Sequence, residues 1–494
     1  MTETKTMNKF TSPEYGNRLK DMFDDMVVYK DLQENSFISA FKLPSFMRDW
    51  VTKRFQDDTG AVDAATAADY IKKYIPKAED WKAIKNRVIN EGERVNFLAK
   101  VSVDIDIKTQ QLSFALPDFN LSHKDTIITE DVWEKCSEAL LKAEENWGVV
   151  ELGYQPPMAK KPGKLRLMNF KDFRPYRVDL DEFRAAAREF TQEEWLDIVL
   201  GAVDYNAAGY ADKGQKLAMI TRLLPFVEKN LHLIELAPKG TGKSYLFGRV
   251  SRYGWLASGG VMSRARMFYN LGKHTDGLVV GHDYVAMDEV QTISFTDVDE
   301  MRGALKGYME NNGKCTVGEK EVVSDAGIVL LGNINADLMT ADMKDNVFQE
   351  LPEVFRESAL IDRFHGFLRG WDLPRMTEDL KIKGWALNSE YFTSVLHALR
   401  DDPIYRNAVD QWLDVSEGAD TRDTEAVKRL TTGFLKLLFP YVRQPGDISA
   451  WDFKEYCLQP ALRMRETIRY QLGLLDREYR GKDMPNLTVR ESVA

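Results

Sequence analysis

The chain has few cysteines and no long apolar run. Cys136, Cys315 and Cys457 are the only three cysteines among 494 residues, and they are far apart in the sequence. An odd number at these spacings predicts neither a disulfide framework nor a C-x-x-C metal site, and a reducing compartment suits such a composition. No segment approaches the roughly 18 apolar residues of a membrane span, and residues 1–19 lack a signal-peptide core. We therefore expect a soluble, cytoplasmic protein without a membrane partner.

Basic residues are also outnumbered. The chain carries 67 Lys+Arg against 77 Asp+Glu, a formal net charge of −10. Such a surface repels nucleic acid as a whole, so nucleic-acid binding would have to be local. An apolar content of 44% excludes a mainly disordered protein. A chain of this length exceeds a single hydrophobic core, which predicts two or three domains.

Hydrophobic periodicity divides the amino-terminal part into helices followed by strands. Residues 15–29 have the three- and four-residue spacing of an amphipathic helix, and this kind of pattern continues to about residue 90. Residues 97–119 alternate apolar and polar side chains, which predicts a β-hairpin that turns near Thr109, and residues 147–154 predict a further strand. These elements predict a mixed α+β domain that ends at about residue 185.

A glycine-rich loop marks a second domain. Thr191 and Glu194 have the spacing of a capping box, which begins a helix, and residues 231–236 form a short apolar strand before "APKGTGKS" (237–244). This octapeptide matches the phosphate-binding pattern G-x-x-x-x-G-K-[ST], except that Ala237 replaces the first glycine. Backbone amides of such a loop surround phosphates, and its lysine reaches the β/γ oxygens. The residues expected to bind ATP are Gly240, Thr241, Gly242, Lys243 and Ser244.

Two carboxylates end the next candidate strand, "YVAMDE" (284–289). We expect Asp288 to hold Mg²⁺ through water, together with the Ser244 hydroxyl. Glu289 is expected to orient and deprotonate the attacking water. Without a phosphate-binding loop upstream, such an acidic pair would more often begin a helix or a turn.

A third apolar strand, "GIVLLGNIN" (327–335), contains two asparagines at its end. A side-chain amide there would place the lytic water beside the γ-phosphate. We expect Asn335 to have this role, with Asn333 as the second choice. The alternative is that both residues only turn the chain.

Two arginines follow in positions from which they could serve a triphosphate. Arg363 comes after an apolar helix end in "ALIDRFHGF" (359–367), and Arg422 begins another helix in "TRDTEAVKRL" (421–430). A permanently charged guanidinium near a transferring phosphate increases the rate, and one from a neighbouring subunit couples hydrolysis to assembly. The alternative for each is an ordinary surface arginine.

One stretch, residues 159–178, is basic in an otherwise acidic chain. It contains a single acid, Asp172, and three aromatic residues, Phe170, Phe173 and Tyr176. Basic and aromatic side chains together bind nucleic-acid backbones and stack on bases. A solvated strand pair or an interdomain connector is an equally good explanation. The candidate DNA-binding residues are Lys160, Lys161, Lys164, Arg166, Lys171, Arg174 and Arg177.

The order of these motifs resembles that of the AAA+ ATPase family over about residues 190–470. The Walker A, Walker B, sensor 1, arginine finger and sensor 2 motifs of that family occur in the same order. By this resemblance, Arg363 is similar to the finger that acts on a neighbouring subunit, and Arg422 is similar to sensor 2. Residues 421–430 are also similar to the corresponding helix of minichromosome-maintenance (MCM) helicases.

Two longer segments, from "SYLFGRVSRYG" to "HDYVAMDEV" and from "LKGYMENNGK" to "LLGNIN", resemble the BrxL family, the Lon-like ATPases of bacteriophage-exclusion (BREX) systems. The resemblance implies an amino-terminal DNA-binding domain, a homo-oligomeric MCM-like AAA+ ring of one or two hexamers, ATP and Mg²⁺ as cofactors, and phage restriction with other BREX components. It also implies that residues 309–323 form a hairpin in the channel, where Lys314 and Lys320 would touch duplex DNA without reading its sequence. A surface hairpin with ordinary lysines is the alternative.

The expected fold is α/β, with an AAA+ P-loop core, a mixed α+β amino-terminal DNA-binding domain and a helical carboxyl-terminal lid. The expected boundaries are 1–185, 186–376 and 377–494. Long members of the family carry a Lon-type protease domain with a Ser–Lys dyad. The residues after Arg422 are too few for such a domain and have a helical pattern, so peptidase activity is not predicted.

Together these features predict a ring-forming ATPase of an anti-phage system that encircles or moves along DNA. One alternative is an unfoldase ring that supplies polypeptide to a separate protease, which requires an aromatic and hydrophobic pore loop in place of a basic hairpin. Another alternative is a DNA-binding scaffold in which the nucleotide only locks the assembly.

Overall fold

The computed structural model describes residues 9–32, 41, 43–106, 109–141, 145–158, 162–272, 275–482 and 484–490. These residues divide into two compact units. The small unit comprises residues 54–175, and the large unit combines the described residues up to Lys53 with those from Tyr176 onward. The small unit therefore differs at both ends from the amino-terminal domain expected at 1–185.

The first elements of the large unit are helix α1 (Pro13–Phe23), strand β1 (Val27–Asp31) and helix α2 (Ser45–Phe55). β1 pairs antiparallel with residues 383–387, so that Val27 lies opposite Leu387. The helix predicted for residues 15–29 is wrong beyond Phe23, because the β-branched residues Val27 and Val28 continue the chain as a strand. This long-range pairing explains why the amino-terminal residues belong to the large unit.

The small unit contains three helices and a five-stranded sheet. Its elements are α3 (Ala64–Tyr74), α4 (Trp81–Ile89), β2 (Val95–Ile105), β3 (Leu112–Ala115), β4 (Thr126–Ile128), α5 (Glu130–Leu140), β5 (Asn146–Gln155) and β6 (Lys164–Asp172). The strand order is β3-β2-β5-β6-β4, in which β4 runs parallel to β6 and the other pairs are antiparallel. The antiparallel pairing of β2 with β3 is the one predicted for residues 97–119. Trp81, Phe97, Phe114 and Phe170 lie in the core of this unit.

The central part of the large unit begins with helices and continues as strands alternating with helices. Its elements are α6 (Leu180–Arg188), α7 (Gln192–Ala202), α8 (Lys213–Thr221), α9 (Leu224–Val227), β7 (Leu233–Ala237), α10 (Lys243–Arg249), β8 (Gly254–Ser258), β9 (Val261–Met262), α11 (Arg264–Met267), β10 (Tyr269–Asn270), β11 (Thr275–Asp276), β12 (Tyr284–Asp288), β13 (Ser294–Phe295), α12 (Val298–Glu310), β14 (Lys314–Val317), β15 (Lys320–Val323), β16 (Gly327–Asn333), α13 (Ser358–Ile361) and β17 (Gly366–Arg369). Thr191 and Glu194 exchange hydrogen bonds at the start of α7, which confirms the predicted capping box.

Five of these strands form a parallel sheet in the order β17-β7-β16-β12-β8. Every residue of β7 and of β12 is buried, as expected where other elements cover both faces of a parallel sheet. Successive residues of β7 face opposite sides, because Leu233 belongs to one hydrophobic cluster and Ile234 to another. β7 thus lies inside the sheet, between β17 and β16, which fixes the position of the loop that follows it.

The carboxyl-terminal part of the large unit is mainly helical but includes three strands. Its elements are β18 (Lys383–Leu387), α14 (Ser389–Leu399), α15 (Ile404–Trp412), β19 (Leu413–Val415), α16 (Thr421–Leu438), α17 (Ala450–Asp452), α18 (Gln459–Leu475) and β20 (Leu487–Val489). A π-helical segment, Phe453–Leu458, joins α17 to α18. None of the helices in the described ranges is long and apolar enough to cross a membrane.

Candidate active site

The carboxyl ends of β7, β12 and β16 lie at one edge of the parallel sheet, which we call the carboxyl edge. Asn333 lies opposite Ala237 in the pairing of β16 with β7, and Met287 lies opposite Leu330 in the pairing of β12 with β16. The loop after Ala237, the carboxylate of Asp288 and the amide of Asn333 therefore lie near one another. Ligands of open parallel sheets bind at this edge.

Two glycines give the loop between β7 and α10 its shape. Gly240 and Gly242 have φ angles of +85° and +82°, in the left-handed region that favours glycine. A Cβ on Gly242 would lie 2.9 Å from Tyr205 Oη. The Met376 amide donates a hydrogen bond of 2.7 Å to the Gly240 carbonyl. Ala237 is the last residue of β7 and does not have a positive φ, so this loop accommodates alanine in place of the first glycine.

Lys243 begins α10 and turns its side chain back toward the loop. Its Nζ lies 3.4 Å from the carbonyl oxygens of Ala237 and Pro238. Burial lowers the pKa of Lys243, and the negative charge of Glu235 partly opposes this shift. A desolvated ammonium held by neutral carbonyls at this distance gains from an anionic partner, which is the chemistry of phosphate binding.

A buried ion pair that sequence analysis missed supports the loop. Arg222 donates to both carboxylate oxygens of Glu235, at 2.5 and 3.0 Å, and both residues are at most 2% exposed. Arg222 Nη1 also donates to the Thr241 carbonyl at 2.7 Å, so these contacts join the residue after α8 to β7 and to the loop. The sequence offers one signal for this pair, the glutamate within the apolar run "LHLIEL", because a charged residue in a buried strand requires a partner.

Asp288 and Glu289 are consecutive but differ in exposure. Asp288 is 6% exposed, and its Oδ1 accepts a hydrogen bond of 2.9 Å from the Glu289 amide. Glu289 is exposed and has a φ of +47°, which is uncommon for a residue other than glycine. The Thr292 amide fixes this turn by donating to the Glu289 carbonyl at 2.7 Å. One carboxylate thus belongs to the buried sheet edge, and the other is available to solvent.

The two candidate asparagines also differ in their surroundings. Asn333 ends β16, and Gln291 holds its backbone by donating to its carbonyl at 2.6 Å and accepting from its amide at 3.3 Å. Asn335 lies two residues beyond the strand, where its Nδ2 donates to Glu350 Oε1 at 2.8 Å. The structure thus gives the two asparagines different neighbours. Asn333, the second choice, lies beside the loop, whereas the amide of Asn335 is bound to another carboxylate.

Ser244 and Asp288 offer a hydroxyl and a carboxylate, which are oxygen ligands of the kind that Mg²⁺ prefers. Among the residues that the structure describes, no group of three or more His, Cys, Asp or Glu side chains could hold a metal ion. An ion at the carboxyl edge would therefore take most of its ligands from phosphate and water. The residues present fit Mg²⁺ in that form, because this ion commonly accompanies phosphates with only one or two protein carboxylates.

The two candidate arginines meet at the edge of the sheet opposite the loop. Arg363 precedes β17, whose first residue, Gly366, lies opposite Leu233, the first residue of β7. Arg363 Nη2 donates to Glu310 Oε2 at 2.8 Å, and Arg422 Nη2 lies 3.5 Å from Glu310 Oε1. The hydrogen bond from Arg363, followed by the charges of both arginines, lowers the pKa of Glu310. Since a five-residue strand spans about 16 Å, both guanidinium groups are remote from the loop of their own chain.

Two family models match this chain. Residues 165–484, which are more than half of it, match the model described as "Lon-like protease BrxL-like, ATPase domain". The chain belongs to the BrxL family. Residues 21–154 match a second model, "BREX system Lon protease-like protein BrxL N-terminal". The carboxyl edge lies within the matched ATPase domain, so the site described above belongs to the ATPase part of a BrxL-family chain.

Two relatives are both described as "Lon-like protease BrxL". The relative from Escherichia coli O9:H4 (strain HS) is 29% identical over 466 residues, which cover 92% of this chain and 64% of the relative. The relative from Bacillus cereus (strain H3081.97) is 32% identical over 296 residues, which cover 60% of this chain and 42% of the relative. The chain thus spans less than two thirds of the length of either BrxL relative.

The aromatic residues of the basic stretch do not have the exposure that base stacking needs in this BrxL-family chain. Phe170 and Phe173 are buried. The hydroxyl of Tyr176 accepts a hydrogen bond of 3.0 Å from Asn388, and burial raises the pKa of this tyrosine. For Phe170 the reason is a β-bulge at Met168, where the register between β6 and β5 shifts by one residue, so that Phe170 faces the same core as Leu165 and Leu167. The rings of Phe170 and Phe173 are therefore not available to stack on bases.

The cations of the same stretch have varied surroundings. Lys160 and Lys161 lie outside the described residues, and Lys164 and Lys171, at the two ends of β6, are partly or fully exposed. Each arginine of the stretch lies near an acidic residue: Arg166 is 3.6 Å from Asp131, Arg174 is 2.7 Å from Asp172, and Arg177 is 3.9 Å from Asp179. These pairs are partly exposed, so the arginines retain access to an anionic ligand at little cost.

β14 and β15 form the hairpin expected for residues 309–323 of this BrxL-family chain. Lys314 and Lys320 are exposed on it, and so are Glu319 and Glu321. The two acidic side chains balance the two lysines. Electrostatic binding of phosphates by this hairpin is therefore weaker than the lysines alone suggest.

Proposed function

We propose that this chain is the ATP-hydrolysing subunit of a ring that binds or moves along DNA in a BREX anti-phage system. The observation that carries the proposal is the carboxyl edge, where a phosphate-binding loop, two acidic residues and an amide follow the ends of three parallel strands. A phosphate-binding loop, carboxylates for Mg²⁺ and water, and a residue that positions the water are the groups with which P-loop enzymes hydrolyse nucleoside triphosphates.

Each chain binds one ATP at its own loop. The loop amides and Lys243 hold the phosphates, and Ser244 and Asp288 hold Mg²⁺, which neutralises developing negative charge when it is bound. Glu289 accepts the proton of the attacking water. Asn333 orients that water in preference to Asn335. The loop residues in this role are Gly240, Thr241, Gly242 and Lys243.

A neighbouring copy of the chain completes each site. Arg363 and Arg422 lie at the sheet edge opposite their own loop, so they serve the triphosphate bound by another copy in a closed ring. A guanidinium that reaches phosphate oxygens stabilises the charge that develops during transfer. To reach them, Arg363 exchanges Glu310 for the phosphate, and Arg422 exchanges both Glu310 and Asp362, whose Oδ2 it contacts at 3.0 Å. The assembly that we propose is a hexamer or a pair of hexamers.

DNA binding belongs to the exposed cations of the basic stretch and of the β14–β15 hairpin. Contacts of this kind go to phosphates, so they are independent of sequence and weaken as salt rises. The net charge of −10 confines them to local surfaces. The residues that we propose are Lys160, Lys161, Lys164, Arg166, Lys171, Arg174, Arg177, Lys314 and Lys320.

The test is the ATPase rate of the full chain with and without duplex DNA, measured beside electron-microscopic images of the particles. Rings whose hydrolysis is stimulated by DNA and abolished by Lys243→Ala support the proposal. Monomers whose rate ignores DNA overturn it. A Lys243→Ala variant that binds and hydrolyses ATP as the parent does also overturns it.

Exposed apolar side chains favour a second candidate function, an ATP-dependent unfoldase. Leu271 follows β10 and lies next to Gly318 in the β14–β15 turn, where an added Cβ would meet it at 3.1 Å. Leu271 and Val323 are 43% and 55% exposed, and exposed apolar surface of this kind suits polypeptide better than a phosphate backbone. If this function is correct, unfolded polypeptide increases the ATPase rate and duplex DNA does not.

A further inference from the structure

Four charged side chains are buried together in the large unit, and we call them the ion cluster: Lys30, Arg48, Asp49 and Asp204. Arg48 Nη2 lies 2.6 Å from Asp49 Oδ1 and 2.6 Å from Asp204 Oδ1. Lys30 Nζ lies 2.8 Å from Asp49 Oδ2 and 3.1 Å from Asp204 Oδ1. Two cations thus share two anions, and the cluster as a whole is neutral.

Tyr245, on α10, joins the ion cluster to the phosphate-binding loop. Its Oη donates to Asp204 Oδ2 at 2.8 Å and accepts from Arg48 Nη1 at 3.0 Å. It also shares a hydrogen bond of 3.0 Å with Ser45 Oγ. Since Tyr245 directly follows Ser244, these contacts hold the first turn of α10 against the beginning of α2.

Tyr205, the residue after Asp204, contacts the segment Gly242–Tyr245 at its other end. Tyr205 Oη donates to the Gly242 carbonyl at 3.4 Å. Asp204 itself has a φ of +77°, an unfavourable conformation for a residue with a side chain. Lys243 and Ser244 therefore lie between Gly242, which contacts Tyr205, and Tyr245, which contacts Asp204. These two contacts restrict the movement of Lys243 and Ser244.

Helix α2 continues from the ion cluster toward the small unit along the chain. Ser45, Arg48 and Asp49 are buried in its first turns, and the helix ends at Phe55. The small unit begins at Arg54. Because a helix of this length behaves as a rigid element, a displacement at Ser45 and Arg48 is carried to the residues where the small unit begins.

Burial of the ion cluster costs more free energy than burial of apolar side chains would. Charged side chains lose hydration on burial, and apolar side chains of similar volume in their place are often neutral or stabilising. Burial alone would raise the pKa of Asp204, but Arg48 and Lys30 hold it well below its usual value, so the carboxylate stays charged. A fully paired network of this kind enforces one arrangement of its partners, which suits a contact that transmits small movements.

We propose that Tyr245 is a positioning residue that couples nucleotide bound at Lys243 and Ser244 to helix α2, and through α2 to the small unit. When nucleotide and Mg²⁺ order the first turn of α10, the phenol holds Ser45 and Arg48 and α2 becomes more rigid. When they leave, α2 loosens. The inference rests on the proposed function, since it requires ATP at the loop.

Hydrogen–deuterium exchange of the full chain tests the coupling. With the non-hydrolysable analogue AMP-PNP and Mg²⁺, we expect the amides of α2 to exchange about fivefold more slowly than without nucleotide, the effect of about one additional hydrogen bond on local opening. Tyr245→Phe keeps the ring and removes the hydroxyl, so it is expected to bind AMP-PNP but to lose this difference. Tyr253→Phe is the matched control, because its hydroxyl contacts Ser394 in the same unit at 3.1 Å, and it is expected to keep the difference.

Three results overturn the coupling and leave the proposed function intact: AMP-PNP binds the parent without changing α2, Tyr245→Phe retains the difference, or Tyr253→Phe loses it as well. A parent that does not bind AMP-PNP overturns the proposed function and the coupling together. If Tyr245→Phe does not fold, Ser45→Ala removes one of the two hydrogen bonds between α2 and the phenol and leaves the one from Arg48. A difference as large as that of the parent in this variant counts against the coupling, and a smaller difference supports it.

Discussion

Arg363 donates a hydrogen bond of 2.8 Å from Nη2 to Oε2 of Glu310, and Arg422 approaches the other oxygen of the same carboxylate. Glu310 is the last residue of α12, and the chain after it turns into the β14–β15 hairpin. The two arginines proposed to act on a neighbouring subunit thus share one acidic partner, which competes with phosphate for them.

Removal of that acidic partner should speed hydrolysis. We expect Glu310→Gln to raise the ATPase rate of the assembled protein by about two- to fivefold, because an exposed ion pair is worth up to about 1 kcal/mol. Steady-state hydrolysis at saturating ATP measures the change. Glu300→Gln is the matched control, since Glu300 lies on the same helix and pairs with Arg264 at 2.9 Å. An unchanged or slower rate in Glu310→Gln contradicts the competition.

A mixing experiment tests whether the site is shared between subunits. Lys243→Ala and Arg363→Ala are each expected to lower the rate by about 10³-fold or more, through lost phosphate binding and lost charge stabilisation. When the two variants are assembled together, a Lys243→Ala subunit still supplies Arg363 to the intact loop of its neighbour, so part of the activity should return. Mixtures that stay as inactive as the separate variants count against a shared site. Lys243→Ala mixed with Lys243→Ala,Arg363→Ala is the control and should stay inactive.

The two asparagines should differ in their effect on turnover. We expect Asn333→Ala to lower kcat by about 10²-fold, the usual effect of removing a group that orients the reacting water, with little change in nucleotide affinity. Asn335→Ala is expected to stay within about threefold of the parent, because its amide is bound to Glu350. A single-turnover assay with pre-bound ATP separates turnover from affinity. The opposite ranking of the two variants would restore Asn335 as the better candidate.

Removal of one partner of the Arg222–Glu235 pair should destabilise the protein more than removal of both. We expect Arg222→Met to destabilise the protein by about 3 to 5 kcal/mol, because it leaves the Glu235 carboxylate buried without its partner. Arg222→Met,Glu235→Leu should recover most of that loss, since both charges are gone. Thermal unfolding followed by circular dichroism compares the variants. A double variant no more stable than the single one would show that Arg222 acts mainly through the Thr241 carbonyl.

Two buried imidazoles predict that acid weakens the large unit. His232 and His365 stack with ring centres 5.1 Å apart, and burial lowers the pKa of His232 to about 3 and that of His365 well below its usual value. Near pH 5 both are neutral when folded and protonated when unfolded, so the unfolded state binds more protons. The free energy of unfolding should therefore fall as the pH drops below about 6.5, by about 1.4 kcal/mol per pH unit for each imidazole. Urea midpoints across this pH range measure the slope, and midpoints independent of pH contradict it.

Local chemistry made much of the site predictable from the sequence. The strand, loop and helix around Gly240 and Gly242 follow from residues close together in the chain, and so do the acidic pair at Asp288 and the hairpin before β16. Sequence periodicity placed the end of a strand near Asn333 but could not show which amide lies opposite Ala237, because that depends on the register between two strands.

The sequence did not predict which residues far apart in the chain contact each other. The pairing of β1 with β18 and the bond between Arg222 and Glu235 join segments through the folded core, and no local pattern specifies such partners. The burial of the aromatic rings in the basic stretch was missed for a related reason. Composition identified the stretch, but the bulge in β6 turns Phe170 inward, and composition alone does not contain that information.

The pairing of Val27 with Leu387 has a practical consequence for dissecting the protein. The small unit interrupts the large one in sequence, so a fragment that starts at residue 186 is not an intact large unit. It lacks Tyr29, whose ring lies 5.3 Å from that of Trp385, and Phe183, whose ring lies 6.2 Å from that of Tyr391. A preparation of the large unit alone must therefore include residues 9–53, because without them an exposed strand edge and exposed aromatic rings promote aggregation.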